Sequence, residues 1–226
     1  MTTSPETSPP LRAYAPPIDP FLDVIHKDDD ILVLNKPSGL LSVPGKADDM
    51  KDCLEARAAA EVPGARIVHR LDMETSGVIV MARHLDALRH LGRQFEKRQT
   101  SKIYEARVAG TLKADEGTIE LPLICDWPNR PRQMVDHTRG KTAATRFEVI
   151  AREGDATRVA LYPKTGRSHQ LRVHMLSLGH PILGDNLYAT GDALAGADRL
   201  QLHASSLTLT HPASDTAMTF KAEVPF

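Results

Sequence analysis

Apolar residues recur along the chain in short, often β-branched runs bounded by turn-forming residues, a pattern that predicts β-strands. The predicted strands cover residues 31–34, 67–68, 78–81, 102–108, 145–150, 158–162, 200–209 and 218–221. Three other segments have helical character, namely 52–62, 84–98 and a stretch around 169–178. Strands follow strands more often than they alternate with helices. The pattern therefore predicts an α+β fold with a central mixed, largely antiparallel sheet and flanking helices.

The helix predicted at 84–98 separates apolar from basic positions. The apolar residues that share one predicted face are Leu85, Leu88, Leu91 and Phe95. Basic residues recur at every fourth position elsewhere on the helix, at Arg89, Arg93 and Lys97. This spacing predicts a cationic stripe.

The length of 226 residues and the 41% hydrophobic content suffice for one well-buried domain. Residues 1–20 contain six prolines among Thr and Ser, which predicts an extended or disordered arm. We therefore expect one folded domain that spans 21–226. No apolar run approaches the length of a membrane span, and the first ten residues lack the pattern of a secretory signal. Cys53 and Cys125 share no disulfide or zinc-knuckle spacing. We expect a cytoplasmic protein with reduced thiols, and a monomer.

The formal net charge of −1 suggests no nucleic-acid partner, but the charge is unevenly distributed. Residues 61–180 contain 20 Lys and Arg against 14 Asp and Glu, whereas the two flanking segments together carry a net charge of −7. A cationic central region can bind a polyanion, because phosphate binding depends on local Lys and Arg. The same asymmetry is also consistent with solvated faces that differ in charge by chance.

Asp72 is the first candidate for chemistry, since it lies in a polar turn between two apolar runs. A partly buried carboxylate needs cationic or hydrogen-bonding partners to stay ionised, and residues 75–77 offer hydroxyl and backbone N–H groups. The residues alone leave two interpretations open. Asp72 is either a turn residue that accepts local hydrogen bonds or a nucleophile or general base.

A second candidate cluster spans residues 164–174. Thr165 and Ser168 can cap the following helix, and Arg167 and Arg172 carry guanidinium groups suited to phosphate or carboxylate. A capped amphipathic helix with exposed basic residues explains the same pattern. The nearby histidines do not have the spacing of a zinc site, and no glycine-rich nucleotide motif is present in the sequence, so we expect neither a metal nor a cofactor.

A third candidate is Tyr104, which shares one face of a predicted strand with Lys102. Aromatic residues make up only 4% of the chain. A tyrosine can stack on a nucleobase, although a tyrosine in a strand more often serves ordinary packing.

Together, these blocks resemble the RNA pseudouridine synthases of the RluA type, over residues 21–226. The motifs that carry the resemblance are 69–72 (HRLD), 75–77 (TSG), 102–104 (KIY) and 166–174 (GRSHQLRVH). Further stretches at 35–45, 121–131 and 179–185 resemble family members that modify both a tRNA anticodon loop and a 23S ribosomal RNA stem-loop.

The resemblance implies that Asp72 is the catalytic aspartate, that Tyr104 stacks on the target uracil and that Arg172 pairs with Asp72. It also implies that Arg70 helps to displace the target nucleotide. Further RNA-binding candidates are Arg167, His169, Lys102, Arg89 and Arg93. The implied reaction isomerises uridine to pseudouridine after base flipping, without cofactor or metal. Asp72 would act either as a nucleophile or as a base that removes a ribose proton.

Many relatives carry a small RNA-binding domain before the catalytic one, whereas here about twenty residues precede Phe21. We therefore expect RNA affinity to come from the catalytic domain. Two other functions remain to be tested: a non-catalytic RNA-binding protein or chaperone, and a small-molecule hydrolase that uses Asp72. Salt-insensitive substrate binding would favour the hydrolase.

Overall fold

The structure, a computed structural model, describes residues 14–226 and is built on one large sheet. The strands are β1 (Val24–Lys27), β2 (Ile31–Lys36), β3 (Arg66–Ile67), β4 (Ser76–Ala82), β5 (Ser101–Ala109), β6 (Glu116–Ile119), β7 (Leu123–Cys125), β8 (Gln133–Val135), β9 (Thr145–Glu153), β10 (Ala156–Pro163), β11 (Leu202–Thr210) and β12 (Ala217–Lys221). The helices are α1 (Leu54–Glu61), α2 (Leu85–Glu96), α3 (Gln170–Ser177) and α4 (Gly191–Ala195).

The main sheet has the strand order β1-β2-β4-β11-β5-β10-β9-β6, with β3 beside β4 and β12 beside β11. The β4–β11 pair is parallel and the other pairs in this sheet are antiparallel. Strands β7 and β8 form a separate hairpin. The predicted α+β class with a mixed, largely antiparallel sheet is confirmed.

Each predicted strand and helix overlaps an observed one. The elements that the pattern does not predict are short: β1, β6, β7, β8 and α4. They have three to five residues each, too few for a hydrophobic period to be recognised.

Three of the four apolar residues predicted for the buried face of α2 pack against the core, and Leu85 does not. Ala87, Leu91 and Gln94 are buried, whereas Leu85 is 51% exposed. Residues 87, 91 and 94 follow the helical period, and a residue two positions before Ala87 points to the opposite side. Leu85 lies there, immediately after the N-cap residue His84.

Part of the predicted arm, residues 14–20, makes contacts with the domain. The Tyr14 hydroxyl donates a hydrogen bond to the Asp52 carbonyl and accepts one from the Leu41 N–H. The Arg57 guanidinium donates to the carbonyl of Pro17 at 2.8 Å. Residues 14–20 therefore contact the domain despite their proline content, through the Tyr14 hydroxyl and the Pro17 carbonyl. The rest of the predicted arm, residues 1–13, lies outside the described residues.

Gly77 brings β4 against β11 at the end of the sheet nearest Asp72. Its φ is +114°, and a Cβ atom there would lie 2.3 Å from the Ala204 carbonyl oxygen. Only glycine tolerates both conditions. The close approach places the loop before β4 next to the middle of β5.

None of the helices within residues 14–226 has the length and apolarity that a membrane span requires.

Candidate active site

A cleft with a volume of about 1320 Å³ brings the three candidate blocks together. It is bordered by the loop between β3 and β4, which we call the Asp72 loop (residues 68–75), and by the start of β5. The segment 162–172 and the hairpin β7–β8 complete the border. The sequence-predicted residues that line the cleft are Arg70, Asp72, Lys102, Tyr104, Arg167, His169 and Arg172.

Asp72 is partly buried, and the backbone on either side of it is held by hydrogen bonds. The Asp72 carbonyl accepts from the Thr75 N–H at 3.1 Å, which closes a turn. On the other side, the Ser42 hydroxyl donates to the Leu71 carbonyl and accepts from the Leu71 N–H. The carboxylate therefore projects into the cleft from a fixed backbone.

Lys36, at the end of β2, ties the Asp72 loop to the sheet. Its fully buried ammonium donates to the carbonyls of Pro37, Leu40 and Met73, the last of which directly follows Asp72 in the chain. Burial lowers the pKa of Lys36 to about 7, against the opposing effect of Asp72 and Glu74. Three carbonyl acceptors use all three N–H donors of the ammonium.

Arg172 lies between two carboxylates. Its Nη1 atom is 3.7 Å from Asp72 Oδ2, while Nε and Nη2 donate to both oxygens of the buried Asp185 at 2.8 and 2.6 Å. Burial opposes the charge of Arg172, but Asp185 and Asp72 together raise the pKa of its guanidinium. Asp185 thus holds the guanidinium in a bidentate pair and leaves one edge facing Asp72.

Asp185 is in turn held by backbone groups. Its Oδ1 atom accepts from the N–H groups of Leu187 and Tyr188, at 3.0 and 3.1 Å. The sequence places Asp185 within a stretch that supports the family resemblance, but its role is not readable there. Its partner Arg172 is 13 residues earlier on a different element.

Tyr104 occupies the middle of β5, where its backbone pairs with Ala204 of β11 on one side and Leu161 of β10 on the other. Its ring packs against two hydrophobic clusters while lining the cleft. Burial, followed by the charge of Asp72, raises the pKa of the Tyr104 hydroxyl. The ring is therefore rigidly held, and its phenol keeps its proton at neutral pH.

The start of α3 is not capped as predicted. The N-cap residue is His169, in the left-handed conformation with φ of 52°, and no side chain caps the helix. Thr165 instead donates to Gln170 Oε1 and accepts from the Ala144 N–H. Ser168 is exposed. His169 makes a 2.7 Å hydrogen bond from Nδ1 to the Tyr188 hydroxyl, and burial lowers its pKa.

Lys102 lies two residues before Tyr104 on β5 and lines the same cleft. Its Nζ atom is 5.6 Å from the Phe95 ring centroid, and the Phe95 ring also stacks on His69, with 4.4 Å between the ring centroids. Burial lowers the pKa of Lys102. The cation is thus positioned by an aromatic ring rather than by a carboxylate.

The cleft is predominantly cationic. Besides Arg172, the basic residues that line it are Arg70, Arg98, Lys102, Arg130, Lys164 and Arg167. The acidic lining residues are Asp72, Glu74 and Glu96. These basic residues come from segments far apart in the sequence, so no single motif contains Arg98 or Arg130 together with the other cations of the cleft.

Arg89 and Arg93 do not line this cleft. Both are exposed on α2, and Arg89 pairs with Asp86 at 2.8 Å. The cleft receives the last turn of α2 and the residues after it, including Phe95 and Arg98. The predicted cationic stripe therefore lies on a different face from the candidate catalytic residues.

Three possible metal ligands form a cluster at the end of the sheet opposite Asp72, namely Asp28, Asp30 and His211. The His211 Nδ1 atom accepts from the backbone N–H groups of Ala213 and Ser214, so the proton of the neutral ring is on Nε2. That Nε2 atom is 3.2 Å from Asp28 Oδ2. A metal ion would need the Nε2 lone pair, so these contacts fit a hydrogen-bonded cluster better than a metal site.

The family model described as RNA pseudouridylate synthase matches residues 30–177. The chain is 56% identical over 217 residues to the dual-specificity RNA pseudouridine synthase RluA of Escherichia coli (strain K12), covering 96% of this chain and 99% of that protein. It is 58% identical over 204 residues to the protein of the same name from Yersinia pestis, covering 90% of this chain and 99% of that one.

Two solved human structures have a similar fold. Human RNA Pseudouridylate Synthase Domain Containing 1 has a TM-score of 0.77 and 29% identity, covering 91% of this chain and 84% of that one. Human RNA Pseudouridylate Synthase Domain Containing 4 has a TM-score of 0.71 and 26% identity, covering 90% and 88%.

Proposed function

Because the chain belongs to the RNA pseudouridylate synthase family and isomerises uridine in RNA, we propose that Asp72 is the catalytic carboxylate of this reaction. The observation that carries the proposal is the position of Asp72, which projects into a cationic cleft 3.7 Å from the guanidinium of Arg172. The reaction breaks the C1′–N1 bond, rotates the base and joins C1′ to C5. C5 then loses its proton and N1 gains one, so the product is an isomer of the substrate.

We propose that Asp72 acts at the ribose by one of two routes. It attacks C1′ as a nucleophile, or it removes a ribose proton as a base. In both routes the uracil leaves C1′ with its electron pair and returns through C5. Arg172 supplies a positive charge beside the carboxylate, and Asp185 positions that guanidinium without reaching the cleft surface itself.

Tyr104 is proposed to stack on the flipped uracil, since its ring lines the cleft from the rigid centre of the sheet. Arg70 is exposed on the Asp72 loop, two residues before the carboxylate, and is proposed to fill the space that the flipped nucleotide leaves. Lys102, Arg167 and His169 are proposed to contact the RNA around the target nucleotide.

For the substrates, we propose a tRNA anticodon stem-loop and a stem-loop of 23S ribosomal RNA. The name of the relatives, dual-specificity RNA pseudouridine synthase, supports two substrate classes. We propose that neither a cofactor nor a metal takes part, because isomerisation involves no net oxidation, reduction or hydrolysis. The monomeric state and the cytoplasmic location stay predictions.

The arrangement also bears on the alternative functions. A non-catalytic RNA-binding protein would have no use for a carboxylate at the centre of a cationic cleft, where it repels phosphate. A small-molecule hydrolase would not need basic residues along the length of the cleft. The cleft geometry therefore supports catalysis on RNA.

The test is the Asp72→Asn variant with an RNA that contains 5-tritiated uridine. We expect tritium release to fall roughly a thousandfold or more, the scale seen when one member of a catalytic group is removed. Binding of the same RNA, measured by gel mobility shift, should be retained because no phosphate contact is lost.

Asp29→Asn is the matched control, since Asp29 is fully exposed at the opposite end of the sheet. It should release tritium at the wild-type rate. An active Asp72→Asn variant would refute the catalytic assignment.

A further inference from the structure

The loop between β7 and β8, residues 126–132, exposes a large aromatic ring beside the cleft. Trp127, the one tryptophan of the chain, is 64% exposed. Large exposed aromatic residues are characteristic of binding surfaces, because burying such a ring on a partner releases much ordered water. We call residues 126–132 the hairpin loop.

The exposed ring is paired with a cation. The guanidinium carbon of Arg130 lies 4.6 Å from the Trp127 ring centroid, and Arg130 is itself exposed. The guanidinium lies over one face of the indole, and the rest of this exposed residue offers a nucleotide a stacking surface next to a charge for its phosphate. The nearest carboxylate in the loop, Asp126, is already occupied by the amide of Asn129 at 2.9 Å.

The hairpin loop is held in shape before any ligand binds. Asp126 and Arg132 close it with a backbone hydrogen bond of 2.9 Å, and Asn129 bonds to both of these residues through its backbone. Pro128 and Pro131 further limit its backbone freedom. A surface ordered in advance loses little entropy on binding.

The hairpin loop is also held at a set position relative to the catalytic candidates. The Gln133 N–H donates to the Tyr188 hydroxyl at 2.7 Å, and the same hydroxyl bonds to His169 at the start of α3. The Tyr188 ring lies within 5.3 Å of the guanidinium of Arg132 and within 5.1 Å of that of Arg172. Tyr188 therefore links the loop to the group that faces Asp72.

We propose that Trp127 and Arg130 form a stacking platform for an unpaired base that neighbours the flipped uridine in the RNA substrate. Arg130 joins the platform to the cleft, because it lines the cleft that contains Asp72. A base in a duplex cannot reach an indole face, so the platform favours RNA loops over paired RNA. This inference rests on the proposed function and adds a determinant of substrate choice to it.

The first test compares the steady-state kinetics of the wild type with those of Trp127→Ala and Trp127→Phe. The substrate is a synthetic tRNA anticodon stem-loop that carries 5-tritiated uridine. Loss of one stacked base is expected to lower kcat/KM of Trp127→Ala by about 5- to 150-fold. The loss should appear in KM with kcat unchanged, since the stack forms equally with substrate and transition state. Trp127→Phe retains a ring and should lose far less.

The control is Ile150→Ala, which removes a half-exposed apolar side chain on β9 that does not line the cleft. It should leave kcat/KM unchanged. If Trp127→Ala behaves like Ile150→Ala, the platform is refuted, and the exposed ring serves a purpose unrelated to RNA, such as contact with a protein. Normal activity of the wild type in the same assay would show that the proposed function survives that failure.

The second test uses the fluorescence of Trp127, which no other tryptophan obscures. Titration of the Asp72→Asn variant with the anticodon stem-loop should quench the emission, because a stacked base quenches an indole. A fully paired RNA duplex of equal length should quench much less at the same salt concentration. Equal quenching by both RNAs, or none by the stem-loop, would contradict the proposal.

Discussion

At the scale of single residues, the arrangement around Arg172 explains how a buried cation is kept beside the carboxylate that we propose to be catalytic. A buried guanidinium without partners is very unfavourable. The Asp72 carboxylate is 3.7 Å away, which is too far for a close ion pair to compensate the burial by itself. The second carboxylate, Asp185, carries the close bidentate pair. Asp185 thus stabilises Arg172, while the orientation of Arg172 leaves the Asp72 carboxylate accessible to substrate.

We expect Asp185→Asn to destabilise the protein and slow the reaction. The variant leaves the buried guanidinium without its close counter-charge, and breaking such a pair costs about 3–5 kcal/mol of unfolding free energy. Urea denaturation measures the loss, and tritium release measures the rate under conditions where the variant is folded. The exposed Asp192→Asn is a control that should change neither. An Asp185→Asn variant as stable as the wild type would contradict this account.

At the scale of elements, the Asp72 loop takes its position from contacts outside itself. Ser42 and Lys36 belong to β2 and the segment after it, yet they hold the backbone of Leu71 and Met73. Strand β2 pairs directly with β4, and Lys36 lies opposite Gly77 at the start of β4, just after the loop. The loop is therefore held by the two strands next to it.

Lys36→Met tests this tie. The substitution keeps most of the side-chain length but leaves three carbonyls without their donor, so we expect the unfolding free energy to fall by roughly 2 kcal/mol or more. A looser Asp72 loop should also lower kcat more than it raises KM. The exposed Lys46→Met provides the matched control.

Thermal and urea unfolding report the stability of Lys36→Met, and tritium release reports its kinetics. Wild-type stability would show that the three hydrogen bonds do not hold the loop. Normal stability with reduced kcat would assign Lys36 to catalysis rather than to positioning.

At the scale of the whole molecule, the near-zero net charge conceals a cationic cleft between acidic flanking segments. Phosphate binding releases counterions, so the affinity of an RNA-binding surface falls as the salt concentration rises. The slope of log affinity against log salt is proportional to the number of phosphates contacted. The cations in the cleft and those on the exposed face of α2 differ in this respect. Arg167 lines the cleft, whereas Arg89 lies outside it.

We expect Arg167→Gln to reduce the steepness of the salt dependence of RNA binding by about one unit in a plot of log K against log salt. Arg89→Gln should leave the slope unchanged, since its guanidinium is paired with Asp86 outside the cleft. Fluorescence anisotropy with a labelled stem-loop, at several salt concentrations, measures both. A reduced slope for Arg89→Gln would place RNA on α2 and support the original prediction for Arg89 and Arg93.

The local sequence determined much of the molecule by itself. Hydrophobic period and β-branched runs predict the long strands and helices, because those elements bury one face and expose the other. The motifs around Asp72, Tyr104 and Arg172 identify the family and its reaction. These features depend on neighbours in the chain, so the sequence displays them directly.

Only the tertiary structure decided which charges meet. It pairs Arg172 with Asp185, ties Met73 to Lys36 and places Arg130 rather than Arg89 in the cleft. It also turns the Asp72 carboxylate toward Arg172, while the Asp72 backbone forms the turn. The charge pairs among these contacts join segments that are separate in the sequence, and the energy of a charge depends on partners and burial in three dimensions rather than on sequence neighbours.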